Sequence, residues 1–406
     1  MSTQAIPSGT RASVPPFRQT WASVILDLVR GLAAFLVLID HIHHLYFGFE
    51  PQPLPGGAQP FGTWFFFVLT TAGMQAVVIF FVLSGYLISG SVFRAIERNQ
   101  FTWRWYLTHR LVRLWLVLLP ALLIGALWDS GTVAWNAHTG LHGWLSELRL
   151  TDPGHNLTWH ALFGNIFFLQ TLHAPVFGSN RALWSLAYEF WYYLLFPFAL
   201  FAIRKGTPLR LRLLYIALFA ITAAIATHNV IALFPVWLLG TLLSRLTPPR
   251  ITAPWRAVVA ALYTPLIFAF IFWHFRSHLL KMDYALGLLT LAFFWIMLSA
   301  QGRAPDHSWR VAISRHLGGF SYSLYLLHYP AIFFLVNAFA TGRPWPVDSP
   351  HLLRMALIAL ATLAYAWLIS LLTERHNDAV RNWVDHHLPT GTPRQNLGGP
   401  SFTAPS

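Results

Sequence analysis

The chain contains no cysteine, which excludes disulfides, thiolate metal sites and a cysteine nucleophile. Lysine is nearly missing too: of 27 basic residues only Lys205 and Lys281 are lysines, and the rest are arginines. Charged residues of both signs make up 10% of the 406 positions, where a soluble domain carries about a quarter. No internal repeat is visible, so the inverted halves common in secondary transporters find no support in the sequence.

What is present is apolar and aromatic. Hydrophobic residues are 56% and aromatics 16%, with 19 Trp, and the mean hydropathy is +0.52. This composition specifies an all-α, polytopic membrane helical bundle whose tryptophans suit two interfacial belts. The net charge of +13 does not imply nucleic acid. The arginines fall mostly in short connectors between apolar runs rather than on a polar domain, as the positive-inside rule requires.

Runs long enough to cross a bilayer, about 20 residues, occur at 24–47, 64–90, 111–128, 183–203, 210–227, 229–246, 255–273, 283–300, 314–340 and 352–373. About ten transmembrane helices follow, and the alternation of arginine-rich and arginine-poor connectors puts both termini in the cytoplasm. The pair at 210–246 is separated only by "THNV". Residues 1–23 read as a cytoplasmic arm, 24–373 as the membrane domain, and 374–406 as a largely disordered cytoplasmic tail too short for a second soluble domain. The first run is too long, with the wrong flanks, for a cleaved signal peptide. The 129–182 connector, rich in Trp and His, holds "ALFGNIFFLQ", too short to span. It reads as an interfacial or re-entrant helix, and as either a lid over an acceptor or a loop resting on the membrane.

The first run, "LDLVRGLAAFLVLIDHIHHLYF", is dense in charge for hydrocarbon. Arg30 and His41 are eleven residues apart, within about 20° of three helical turns and about 16 Å along the axis. They therefore share a face, with Asp27 one turn below Arg30. Charges at such depth persist where they face a bundle interior or water. His41 suits general-base work on an acceptor hydroxyl, while Asp27 and Arg30 admit an interfacial ion pair as well as a functional role. Ser84, in "FFVLSGYLISG", is a packing residue or a ligand contact. Arg110 and Arg113, one turn apart, are topological anchors or a bidentate phosphate clamp. Glu189, two turns into "LWSLAYEFWYYLLFP", has three open roles: to orient His41, to bind sugar hydroxyls beside Trp184 and Tyr188, or to make a structural hydrogen bond. "FSYSLYLLHYP" contributes Tyr322 and His328 to a pocket or to packing. No metal site is indicated.

Together, LD-x-x-RG with a histidine eleven residues past the arginine, "FFVLSGYLIS", Arg-x-x-Arg, WSL-x-x-E-x-x-Y and "SYSLYLLHYP" resemble the acyltransferase 3 family of bacterial membrane O-acyltransferases, in register over roughly 24–340. The resemblance implies a ten-span bundle in the bacterial inner membrane. It implies transfer of an acyl group, usually acetyl, from cytoplasmic acyl-CoA to a hydroxyl of a carbohydrate or glycolipid. Acyl-CoA is then a co-substrate and no cofactor is tightly bound. By position, His41 matches the essential histidine, Arg30 its partner, Arg110 and Arg113 the donor-binding arginines, and Glu189 the acid of the tryptophan-serine motif. Two features depart from the pattern. Asp40 stands where an apolar residue is usual, and Pro120 comes later than the family's proline. A proton-coupled transporter built on the same buried charges is the alternative reading.

Overall fold

Serial apolar stretches without paired β-signals can satisfy their backbone in a membrane only as helices, and the computed structural model is all-helical among its described residues. These are 17–48, 61–139, 152–277, 280–339 and 344–387, with the side chains of 272–281 outside the description. The arm before Phe17, residues 140–151 of the long connector with Arg149, Arg343, and the tail from Leu388 onward lie outside it.

In chain order the helices are α1 Trp21–Tyr46, α2 Phe61–Thr70, α3 Gly73–Glu97, α4 Trp103–Thr139, α5 Trp159–Ile166, α6 Leu183–Ile203, α7 Leu209–Leu243, α8 Ala253–Ser277, α9 Leu280–Met297, α10 Trp309–Gly319, α11 Ser321–Phe339, α12 Ser349–Leu372 and α13 Asn377–His387. Among the described residues eight helical stretches are long and apolar enough to cross a membrane, and α9 holds a shorter apolar one. Among the described residues every expected run is helical; two are interrupted, and two others join in one helix across a break.

Each interruption has a local cause. The expected span 64–90 is α2 followed by α3. The Thr70 and Thr71 hydroxyls donate to the carbonyls of Phe66 and Phe67 at 2.7 Å, which competes with helix continuation. The next free donor, Gly73 N–H, goes to Asp40 Oδ1 at 3.0 Å. The run 314–340 is α10 followed by α11. Here the carbonyl of Gly318 accepts from Arg30 Nη2 at 2.6 Å and from Ser321 Oγ at 2.8 Å. The runs 210–227 and 229–246 join in α7 across a break at Thr227, whose φ is 67° and ψ 167°. That region is essentially reserved for glycine and costs about 1–3 kcal/mol for other residues. Replacing Thr227 with glycine relieves that strain against roughly 0.5–1 kcal/mol of added chain entropy in the unfolded state. Thr227→Gly is therefore expected to raise the melting temperature in detergent; an unchanged or lower value contradicts the strain.

α1 packs on α3, α10 and α11, α3 and α6 pack on α7, and α4 packs on α11. The closest approach is at Gly85 and Gly240. A Cβ on Gly85 would lie 2.0 Å from the Trp237 carbonyl oxygen, and one on Gly240 would lie 2.0 Å from that of Val82. Small residues bring the backbones of α3 and α7 together there, which is the packing role expected of this motif. Among the described residues three buried clusters result, a large one across α3, α4, α6 and α7, a smaller one around α11 and α12, and a small one of Val24, Ala304 and Val311, and α1 contributes to all three.

The connector from Asp152 on is tied into the bundle. Trp115 Nε1 donates to the Ile166 carbonyl, Trp191 Nε1 to that of Phe168, and Asn180 Nδ2 to that of Leu326, all at 2.8–2.9 Å. The short α5 is thus tied to α4 through Trp115, and the residues just after it to α6 through Trp191. At the other end of the chain, 374–387 corrects the expectation of a disordered tail. Glu374 begins a 3₁₀ turn and α13 follows, docked on α4 through His109 Nε2 and Asp385 at 2.9 Å.

Candidate active site

The polar residues of α1 are each partnered by a different element. At one end, Arg30 Nη2 reaches Asp27 Oδ1 at 3.2 Å and the Gly318 carbonyl. The expected ion pair is present, and the same guanidinium ties α1 to α10. About 16 Å along the axis, His41 Nδ1 meets His328 Nε2 at 2.7 Å. The two rings are stacked, with centroids 5.0 Å apart, and Tyr329 stands edge-on to His41 at 4.9 Å. The next two histidines point elsewhere. His43 Nδ1 contacts Thr70 Oγ1 at 2.7 Å, and His44 Nδ1 contacts Asp40 Oδ2 at 3.2 Å. Asp40, unexplained by the family pattern, is therefore an anchor. Its carboxylate receives the first amide of α3, where the helix dipole favours an anion.

Between these helices lies a cavity of about 140 Å³. Arg30, Ser84, Arg110, Arg113, Glu189 and Tyr322 all line it, so six residues from five separate sequence motifs converge. Glu189 Oε1 accepts from Ser84 Oγ at 2.8 Å and from the Tyr193 hydroxyl at 2.5 Å. Ser84 in turn accepts from Trp237 Nε1 at 3.2 Å, and the Tyr322 hydroxyl donates to the Leu114 carbonyl. The role in which Glu189 orients His41 is not realised. The carboxylate is committed to Ser84 and Tyr193, and His41 takes His328 instead. Nor do Trp184 and Tyr188 line the cavity; they pack edge to face at 4.9 Å, with Trp184 also against Phe81.

The electrostatics of the cavity are unbalanced toward positive. Arg110 lies over the Tyr106 and Tyr193 rings, 5.7 and 6.0 Å from their centroids. Among the described residues neither Arg110 nor Arg113 has a carboxylate within 4.0 Å. The Nε atoms of Arg30 and Arg110 are buried without a hydrogen-bond partner among the described residues. Guanidinium donors held ready in an apolar bundle call for an anionic, multiply accepting ligand. A larger, shallow groove of about 450 Å³ at Pro248–Thr252 has only Arg250 as a charged group and no such convergence.

One contributor escaped the sequence reading. Glu374 Oε2 accepts from the Ser323 amide and hydroxyl, both at 3.0 Å, capping the N-terminus of α11. It is also close enough to act electrostatically on Arg30 and Arg113. A lone acid immediately after the last apolar run was the available signal. His41 itself does not line the cavity. Tyr325 does, and its ring is 5.8 Å from Phe80 and 6.1 Å from His328, so that side chain separates the cavity from the histidine pair.

A family model described as an acyltransferase domain matches residues 24–389. The chain belongs to the acyltransferase 3 family. Among curated proteins it is similar to an O-acetyl transferase of Shigella phage Sf6, 26% identical over 219 residues, covering 52% of this chain and 56% of that protein. It is also similar to an uncharacterised protein of Haemophilus influenzae, 29% identical over 122 residues, covering 30% of this chain and 47% of the relative. The chain thus aligns with about half the length of these curated relatives. No solved structure matches it. The family match runs past the last apolar helix and takes in Glu374 and α13.

Proposed function

We propose that this protein is an inner-membrane O-acyltransferase that moves a short acyl group, acetyl first, from cytoplasmic acyl-CoA to a hydroxyl of a cell-envelope or exported carbohydrate. The observation that carries the reading is the convergence of Arg30, Arg110 and Arg113 on one cavity, with donors left for a phosphorylated ligand. The name of the phage relative supports acetyl as the group transferred. In this reading the arginines hold the donor phosphates, and His41 removes the acceptor proton. Glu189, fixed by Ser84 and Tyr193, sets the polarity of the cavity wall facing the arginines.

Cavity size argues for a short chain. A cavity of about 140 Å³ suits a slender donor arm with a two-carbon acyl group and is too small for a long alkyl chain without repacking. Overfilling costs about 1–3 kcal/mol, so kcat/KM with octanoyl-CoA is expected to fall at least about fivefold below acetyl-CoA. The test incubates purified protein with each donor and an envelope-glycan fraction, and follows thiol release together with glycan mass. A gain of one acetyl supports the reading; no mass change with a competent acceptor fraction, or equal use of both donors, contradicts it.

The transporter alternative draws on interrupted helices, which α2–α3 and α7 supply. Yet the α3 N-terminus is occupied by Asp40 rather than aimed at the cavity, unlike the half-helix ends that bind substrates in transporters.

A further inference from the structure

His328 is fully buried, and its two ring nitrogens have different neighbours. Nδ1 lies 2.9 Å from the carbonyl oxygen of Leu324, one turn back in α11, and Nε2 lies 2.7 Å from His41 Nδ1. A carbonyl oxygen only accepts, so the bond to Leu324 requires the proton on His328 Nδ1. In a neutral ring that leaves Nε2 as a lone pair. The close contact to His41 is then a hydrogen bond only if His41 Nδ1 carries a proton and donates it. His41, when neutral, must therefore hold its own lone pair on Nε2. That atom makes no hydrogen bond among the described residues.

We propose that His328 is a positioning residue that fixes the tautomer and ring plane of His41, through the chain Leu324 carbonyl, His328, His41, so that His41 Nε2 is the base. The stacked ring, the edge of Tyr329 and the burial of His328 hold the pair in one orientation, as an acceptor behind a catalytic imidazole does elsewhere. This inference rests on the transferase reading and adds the residue behind the base. The step balances with these atoms alone. The acceptor O–H proton passes to His41 Nε2 as the oxygen bonds to the thioester carbon. The carbon–sulfur bond breaks, and the departing thiolate takes the proton from Nε2. Throughout, His41 Nδ1–H stays with His328, which gains and loses nothing. The Leu324 carbonyl keeps His328 from presenting a donor to His41 in the resting state.

Two measurements test it. In protein labelled with ¹⁵N-histidine and reconstituted in lipid, His41 is assigned by the signals lost in His41→Ala. Its Nδ1 is expected in the protonated range and Nε2 in the lone-pair range at neutral pH, with His328 likewise protonated on Nδ1. In turnover with acetyl-CoA and the envelope-glycan fraction, His328→Phe is expected to lower kcat about 100-fold, within the usual worth of acid–base catalysis, with KM for acetyl-CoA within twofold. His328→Gln, whose side-chain oxygen can accept from His41 Nδ1, is expected to recover at least tenfold over phenylalanine. A His41 found protonated on Nε2 in the resting protein overturns the proposal, as does full activity in His328→Phe. Should His328→Phe not fold, the tautomer of the wild-type protein still decides. Should the wild type transfer nothing, the transferase reading fails while the tautomer assignment stands or falls by itself.

Discussion

His41→Ala lowers acyl transfer by about 10²–10⁴-fold, the range that a positioned general base contributes, while the protein still inserts and keeps its melting temperature within a few degrees. The imidazole bonds only to His328 among the described residues, so its removal deletes no tie between α1 and α3. That tie belongs to Asp40, which holds Gly73, while His43 ties α1 to α2 through Thr70. The contrast is the diagnostic part. Asp40→Ala, one residue away, strips the α3 N-terminus of its acceptor and is expected to cost stability, where His41→Ala costs turnover. The check is turnover and melting measured on the same preparations. Equal activity of His41→Ala and wild type removes the histidine from the chemistry.

Arg110→Leu is expected to raise KM for acyl-CoA by about 30-fold or more, since truncating one member of a buried charge-assisted contact costs about 2 kcal/mol or above. The ligand-free protein is expected to gain stability from the same change. Arg110 sits one turn from Arg113, and among the described residues it has no carboxylate in reach and its Nε has no hydrogen-bond partner. Without ligand it is a charge held at a cost; with ligand the cost is offset. Melting curves with and without acetyl-CoA separate the two states: wild type shifts upward with donor, and the variant starts higher and shifts less. A variant that starts lower and binds donor normally makes Arg110 a structural anchor.

How much of this was legible in the sequence differs by residue. The shared face of Asp27, Arg30 and His41 follows from the 3.6-residue period, and α1 does present Arg30 to Gly318 and His41 to His328 on α10 and α11. The gathering of Arg30, Ser84, Arg110, Arg113, Glu189 and Tyr322 was legible as a set of motifs but not as one cavity, because hydropathy places residues along a helix and not around the bundle. The His41–His328 pair joins positions 287 residues apart, beyond any periodic argument. The interruptions at Thr71–Ala72 and Phe320 escaped a window average, since each depends on one or two hydrogen bonds, whereas the break at Thr227 falls at the expected "THNV" separator. Trp184 and Tyr188 looked like sugar platforms by type; Trp184 packs on Phe81 and Tyr188 on Trp184, against the core. Glu374 was assigned to a tail because apolarity ends before it, although its carboxylate turns back to α11.

α1 is pinned at both ends. Near its start the amides of Trp21 and Ala22 bond to the carbonyls of Gly302 and Ala300. Near its finish Asp40 holds Gly73, and the Tyr46 carbonyl accepts from Trp345. A rod fixed in this way is a ruler. The rise of about 16 Å between Arg30 and His41 is a set length, and under the proposed roles a donor gripped by phosphate at one mark must present its acyl carbon at the other. A thioester on a long, slender arm meets that measure. An acyl phosphate, whose reactive carbon sits directly on the charged group, falls short of it however tightly the arginines hold it.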